Sequence, residues 1–358
     1  MKSNYKRLGD FIVEVEERNR DGLVKLSQGI CNLKYFQDPR QVAENSANDK
    51  IVRTGWFAYN RATTRNGDKI SIAYREGEDC TVSASYLTFK IKDEEQLNPH
   101  YLLMWFKRPE FDRYARFKSH GSAHEYFEWD EMCEVYLPVP SIEVQRKIVA
   151  EYQAVERRIT NNRRLIATLE ATAQSIYRNL FVDNIDPENL SDGWRMGVVG
   201  DLMRISSGKT LTSRSDTKSE KTPYPVAGAS GIIGYSDSYN QSEPFITTGR
   251  VGTLGVVNKY FIPTWTADNV LVIKSENFET AYQILRSINY AEITGGGVQS
   301  LITQTGLSNY KLPVPPKQLI NDFEERVNPV SKFIYTIDCE NSHLVNLQSL
   351  LLSKLARL

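Results

Sequence analysis

Two stretches of the chain carry the same alternation of apolar and polar positions. The first follows Leu137-Pro138-Val139-Pro140 and runs without Pro or Gly to about Leu180. Its apolar or seam positions are Ile148, Tyr152, Val155, Ile159, Asn162, Ile166, Leu169, Ala173, Ile176 and Leu180. The second follows Leu312-Pro313-Val314-Pro315, 175 residues later. It carries Phe323, Val327, Val330, Ile334, Ile337, Asn341, Leu344, Gln348, Leu351 and Leu355. The spacing alternates between three and four, which is a helical seam and not a strand pattern. Such a stripe must be buried. An antiparallel pairing with Asn162 opposite Asn341 gives every seam position a seam partner, such as Ile148 with Leu355, Tyr152 with Leu351 and Leu180 with Phe323. The two asparagines should hydrogen-bond and fix the register. Pro329 interrupts the second run, so a kink or a later helix start is expected there.

Before each long helix lies a unit of a different pattern. Residues 1–136 form the first, and 184–311 the second. The helices occupy 137–183 and 312–358. In the first unit, Phe11 to Glu16 reads as strand or helix. Lys50 to Ile91 is β-branched and aromatic, broken by Gly and Asn, and reads as strands and turns. Asn98-Pro99 opens a helix, with Asn98 as cap and Pro99 at the first position. In the second unit, Val199-Gly200-Asp201 repeats the Leu8-Gly9-Asp10 opening, short strands with glycine turns follow, and Glu279 to Asn289 reads as a helix. The chain is a tandem of unit, helix, unit, helix, an α+β architecture with a pseudo-two-fold relation between its halves.

Composition narrows the class without fixing the chemistry. The chain has 358 residues, enough for two cores. Its 44 Lys and Arg balance 44 Asp and Glu, so any polyanion-binding surface must be local. The four cysteines, Cys31, Cys80, Cys133 and Cys339, are scattered and read as free thiols of a reducing, cytoplasmic compartment. No apolar run is long enough to span a membrane.

Three motifs hint at catalysis or metal binding, and each is better read as structure. Ser207-Gly208-Lys209-Thr210 resembles the end of a phosphate loop, but Met203 stands where the first glycine belongs. Asn98-Pro99-His100-Tyr101 resembles an amino-methyltransferase box, but no Gly-rich cofactor loop precedes it. His120 and His124 have helical spacing, yet Gly121 lies between them and no third ligand is near. No metal site and no catalytic constellation is expected. The basic, Gly- and Asn-rich loops stand apart, because they occur in both units. Arg61, Arg65, Asn66, His120 and His124 in the first, with Lys209, Arg214, Arg250 and Gln299 in the second, suit a long periodic partner such as duplex DNA. Arg and Gln match guanine and adenine edges, while Lys touches phosphate.

The duplicated layout, the Leu-Gly-Asp opening and Leu-Pro-Val-Pro before the helix resemble the specificity subunit of Type I restriction–modification enzymes. Gln145-Arg146-Lys147-Ile148-Val149 fits that family's helix start. Val144 stands where its Glu belongs, and Lys317-Gln318-Leu319-Ile320 departs further. Gly252-Thr253-Leu254-Gly255 and Gly296-Gly297 add to the likeness. The resemblance implies two target-recognition domains, each reading half of a split site on double-stranded DNA. It implies spacer helices that form an antiparallel coiled coil and bind two methyltransferase subunits, with restriction and motor subunits joining for cleavage. It also implies no catalysis and no cofactor in this chain, S-adenosylmethionine belonging to the partner. Two other classes compete: a self-contained DNA methyltransferase with divergent motifs, and a coiled-coil scaffold without a DNA role.

Overall fold

The computed structural model describes residues 4–39, 47–62, 69–120, 125–251, 254–295 and 301–358. The chain forms two compact units: Met1–Asn162 together with Glu340–Leu358, and Arg163–Cys339. Each long helix therefore contributes one part to each unit.

In the first unit, β1 (Ile12–Glu14), β2 (Phe57–Asn60), β3 (Ile72–Tyr74) and β4 (Tyr86–Ile91) form an antiparallel sheet in the order β1-β4-β2-β3. β2 is the best buried of these strands, and Phe57 stacks on Phe89 at 4.9 Å and 7°. Phe11 to Glu16 thus contributes a strand and no helix. Helices α1 (Pro99–Phe106), α2 (Pro109–Lys118) and α3 (Trp129–Cys133) follow. The Asn98 side chain accepts from the His100 and Tyr101 amides with Pro99 at the first position, so the capping reading of that motif holds.

The Leu-Pro-Val-Pro motif does more than precede a helix. Tyr136–Pro138 pairs antiparallel with Tyr5–Arg7, and Lys311–Val314 pairs in the same way with Arg195–Val198. Each ribbon flanks a single 3-10 turn, Leu8–Asp10 or Val199–Asp201, whose first residue is fully buried. The repeated Leu-Gly-Asp and Leu-Pro-Val-Pro segments are therefore folded against each other, which neither shows alone.

Helix α4 spans Ile142–Phe181 over 40 residues. Gln145 is fully buried at its start. Its side-chain amide donates to the carbonyls of Gln96 and Pro140, and its carbonyl accepts from the Asn98 amide. This brace ties α4 to the start of α1. In the second copy Ile320 holds the corresponding place, 175 residues on, and keeps only the apolar part of the role.

The second unit repeats the sheet. β5 (Arg204–Ser207), β6 (Phe245–Gly249), β7 (Val257–Tyr260) and β8 (Val270–Lys274) pair in the order β5-β8-β6-β7, again antiparallel. Helix α5 (Phe278–Ser287) then packs on it, followed by α6 (Gln304–Ser308). Among the described residues no long helix stands where α2 stands in the first unit; a single turn, Tyr290–Glu292, follows α5 instead.

Helix α7 runs from Lys317 to Lys354 with Pro329 inside it, so a later helix start is removed. All seam positions expected on α4 and α7 are buried or half-buried. Within the first unit the Asn162 side-chain amide donates to the Asn341 carbonyl oxygen at 3.0 Å, and Gln348 donates to Glu156. Tyr152, Leu351 and Leu355 join that unit's core. Within the second, Phe323 meets the rings of both Tyr177 and Phe181. These contacts fix an antiparallel helix pair in the expected register.

Candidate nucleic-acid interface

The Arg61 side of the first unit is built from three backbone segments. Arg61 is the residue after β2. Its carbonyl accepts from the Phe127 amide at 2.8 Å, and Ala62 bridges Tyr126. Tyr126 also bridges His120 on its other side. The fold thus brings Arg61 and His120 to either side of Tyr126, although the sequence separates them by a helix pair. The Arg61 guanidinium lies over the Tyr126 ring at 5.0 Å and bridges Glu128 at 3.3 Å.

This cluster is not a bare cationic patch. Arg116 pairs with Glu125 at 2.8 Å, Lys118 with Glu131 at 3.1 Å, and the His120 imidazole lies 3.7 Å from Glu131. Each of these basic side chains has an acid within reach, so the local field is weaker than the run of basic residues suggests. The acids come from α3 and from the return segment before it, residues 125–128, and nothing in the spacing of the basic residues announces them. Arg65, Asn66 and His124 lie outside the described residues.

In the second unit the expected residues divide. Arg250 follows β6, and its amide donates to the Asn269 carbonyl at 3.0 Å. Lys209 follows β5 at the same end of the sheet. Its amide donates to Thr266, and the Gly208 amide to Val270. A side chain at Gly208 would meet the Ala267 carbonyl at 1.9 Å, so glycine is needed there for close backbone approach. Both amides of the Gly208-Lys209 pair are used by the sheet, which leaves neither for a phosphate. Arg214 lies elsewhere, alongside Gly234. Gln299 lies outside the described residues.

Beside the Arg250–Asn269 backbone contact, Arg250 Nε and Asn269 Oδ1 are enclosed without a hydrogen-bond partner among the described residues. Asn269 is not flagged by the sequence pattern, because it sits in an ordinary turn before β8. The contact becomes visible only once β6 and β8 are aligned. Among the described residues no group of three His, Cys, Asp or Glu side chains is placed to hold a metal ion. No helix there is long and apolar enough to cross a membrane.

Comparison with known proteins agrees with the duplicated layout. Residues 41–171 and 191–346 match the family described as Type I restriction modification DNA specificity domain. The Type I restriction enzyme MjaIX specificity subunit of Methanocaldococcus jannaschii is 27% identical over 127 residues, covering 32% of this chain and 29% of that relative. The crystal structure of a Type I restriction-modification S subunit from M. genitalium superposes with a TM-score of 0.63 at 15% identity, over 98% of this chain and 95% of that one. That likeness concerns the fold, and the family match covers most of the sequence in two separate stretches. The chain belongs to the Type I restriction–modification DNA specificity family.

Proposed function

We propose that this protein is the DNA-reading subunit of a Type I restriction–modification complex and recognises a split target, one half-site per globular unit. The observation that carries the reading is the duplicated frame. One chain holds the same four-strand sheet, 3-10 turn and ribbon twice. Two similar reading heads suit a bipartite site on a periodic partner. The long helix pair would set the unread gap and offer surface to two methyltransferase subunits, with restriction and motor subunits joining for cleavage. In this reading the chain performs no chemistry itself, and S-adenosylmethionine is held by the methyltransferase.

Co-expression with its methyltransferase partners, followed by methylation-sensitive sequencing, tests the proposal. A split motif with a fixed gap is expected. Binding of S-adenosylmethionine by the purified chain alone would favour a self-contained methyltransferase. A complex that protects no DNA in footprinting would favour a scaffold.

A further inference from the structure

We infer that Arg61 and Arg250 occupy one and the same position of the duplicated frame, and that each reads a guanine in its own half-site. The inference rests on the DNA-reading function proposed above. It starts from backbone relations that recur in both units. Arg61 follows β2 as Arg250 follows β6, each strand taking the same place in its sheet. The Arg61 carbonyl accepts from Phe127 and the Arg250 carbonyl from Ile302. The next residues, Ala62 and Val251, bridge Tyr126 and Leu301. Tyr126 in turn bridges His120, as Leu301 pairs with Gly295. Phe127 and Ile302 are 175 residues apart, as are Tyr126 and Leu301, and His120 and Gly295. Two arginines in one frame are thus fixed by the same strand end and the same return segment.

The surroundings then hold each guanidinium in a limited set of orientations. Arg61 is stacked on Tyr126 and tied to Glu128. Arg250 is half-buried with its Nε enclosed, and its amide is held by the Asn269 carbonyl. A planar fork restrained in this way matches the O6 and N7 acceptors of guanine. Phosphate contact needs no such restraint, and exposed Lys209 at the same edge of the second unit is suited to it.

The test uses the full-length chain in its complex with the methyltransferase. Arg61→Ala, Arg250→Ala and the corresponding Arg→Lys variants are compared by methylation-sensitive sequencing and by binding at several salt concentrations. Each Ala variant should relax one guanine position in one half-site, lowering discrimination there by about tenfold to a hundredfold, while the other half is read as before. The unaffected half doubles as a check that the protein is folded. The Lys variants keep the charge without the fork, so the relaxed position should persist. Uniform loss of affinity across sequences, with a shallower salt dependence, would mark a phosphate contact and overturn the inference. An unchanged motif in all four variants would overturn it as well. If the unaltered complex reads no DNA, the proposed function fails and the inference goes with it. If the unaltered complex reads a split motif and only the variants disagree, the inference alone fails.

Discussion

The two sheets share strand order and backbone contacts, yet they treat the same arginine differently. In the first unit Arg61 has an aromatic ring beneath it and an acid beside it. In the second, the equivalent positions hold Leu301 and Thr303, and Arg250 Nε has no hydrogen-bond partner among the described residues. Glu128 and Thr303 occupy the same place, the residue before α3 or α6, but only Thr303 uses its side chain to cap the helix. The difference shows that the backbone frame and the electrostatic setting of a recognition residue are separable. One fold can carry an acid-paired arginine in one unit and, among the described residues, one without an ion pair in the other.

The largest expected effects concern how each unit anchors a buried lysine. Lys34 contacts Asp112 on α2 at 2.5 Å and donates to the Ile70 carbonyl, whereas Lys259 contacts Glu279 on α5 and also Ser331 and the Tyr282 ring. Burial pulls both ammonium groups below the ordinary lysine value, and their acid partners pull them back up. Asp112→Ala leaves a nearly enclosed cation uncompensated and should cost about 3–5 kcal/mol in thermal or denaturant unfolding. Glu279→Ala should cost less, because Ser331 and Tyr282 remain. Equal losses would show that the extra contacts around Lys259 contribute nothing.

A second contrast lies along the helix pair. The part within the first unit carries the Asn162–Asn341 contact, and the part within the second packs aromatic rings. Asn162→Leu orphans the buried Asn341 amide and should cost about 1–3 kcal/mol. Adding Asn341→Leu should recover most of that loss, since both partners are then apolar. A double variant no more stable than the single one would argue against a paired polar layer.

The difference between the arginines can be reversed directly. Glu128→Thr removes the acid beside Arg61, and Thr303→Asp adds one near Arg250 while keeping a capping oxygen. Exposed ion pairs contribute about 0–1 kcal/mol, so affinity for the first half-site should rise, and for the second fall, by about two- to fivefold at low salt. Binding to separated half-site duplexes would show it, and shifts of the same sign in both would contradict the equivalence.

The smallest effect is a pH dependence confined to the helix pair of the first unit. Arg158, and then the Asn162 amide, hold the Glu340 carboxyl below its ordinary value. A lowered acid value in the folded state gives stability that is present above the ordinary carboxylate range. It is lost as pH falls through the lowered value. Glu340→Gln should flatten acid unfolding slightly, and an unchanged acid limb would show the contact to be inert.

Much of the frame was legible in the sequence because it rests on periodicity. The heptad phase, the paired asparagines, the Asn98-Pro99 helix start and the tandem order all follow from local patterns, and their burial requirements leave few alternatives. The equivalence of Arg61 and Arg250 was not legible. The helices and return segments repeat at 175 residues, but Arg61 and Arg250 are 189 apart. At the helix offset Arg61 falls opposite Ser236, so no single comparison of the halves reveals the pair. Loop length between strands costs little in stability, and it drifts between the copies. Strand register does not drift, because one slipped residue would turn every buried side chain outward. Periodicity along the chain shows which segments repeat and which faces must be buried. Which residues of the two halves are equivalent follows from backbone hydrogen bonding across strands far apart in the chain, which no local pattern encodes.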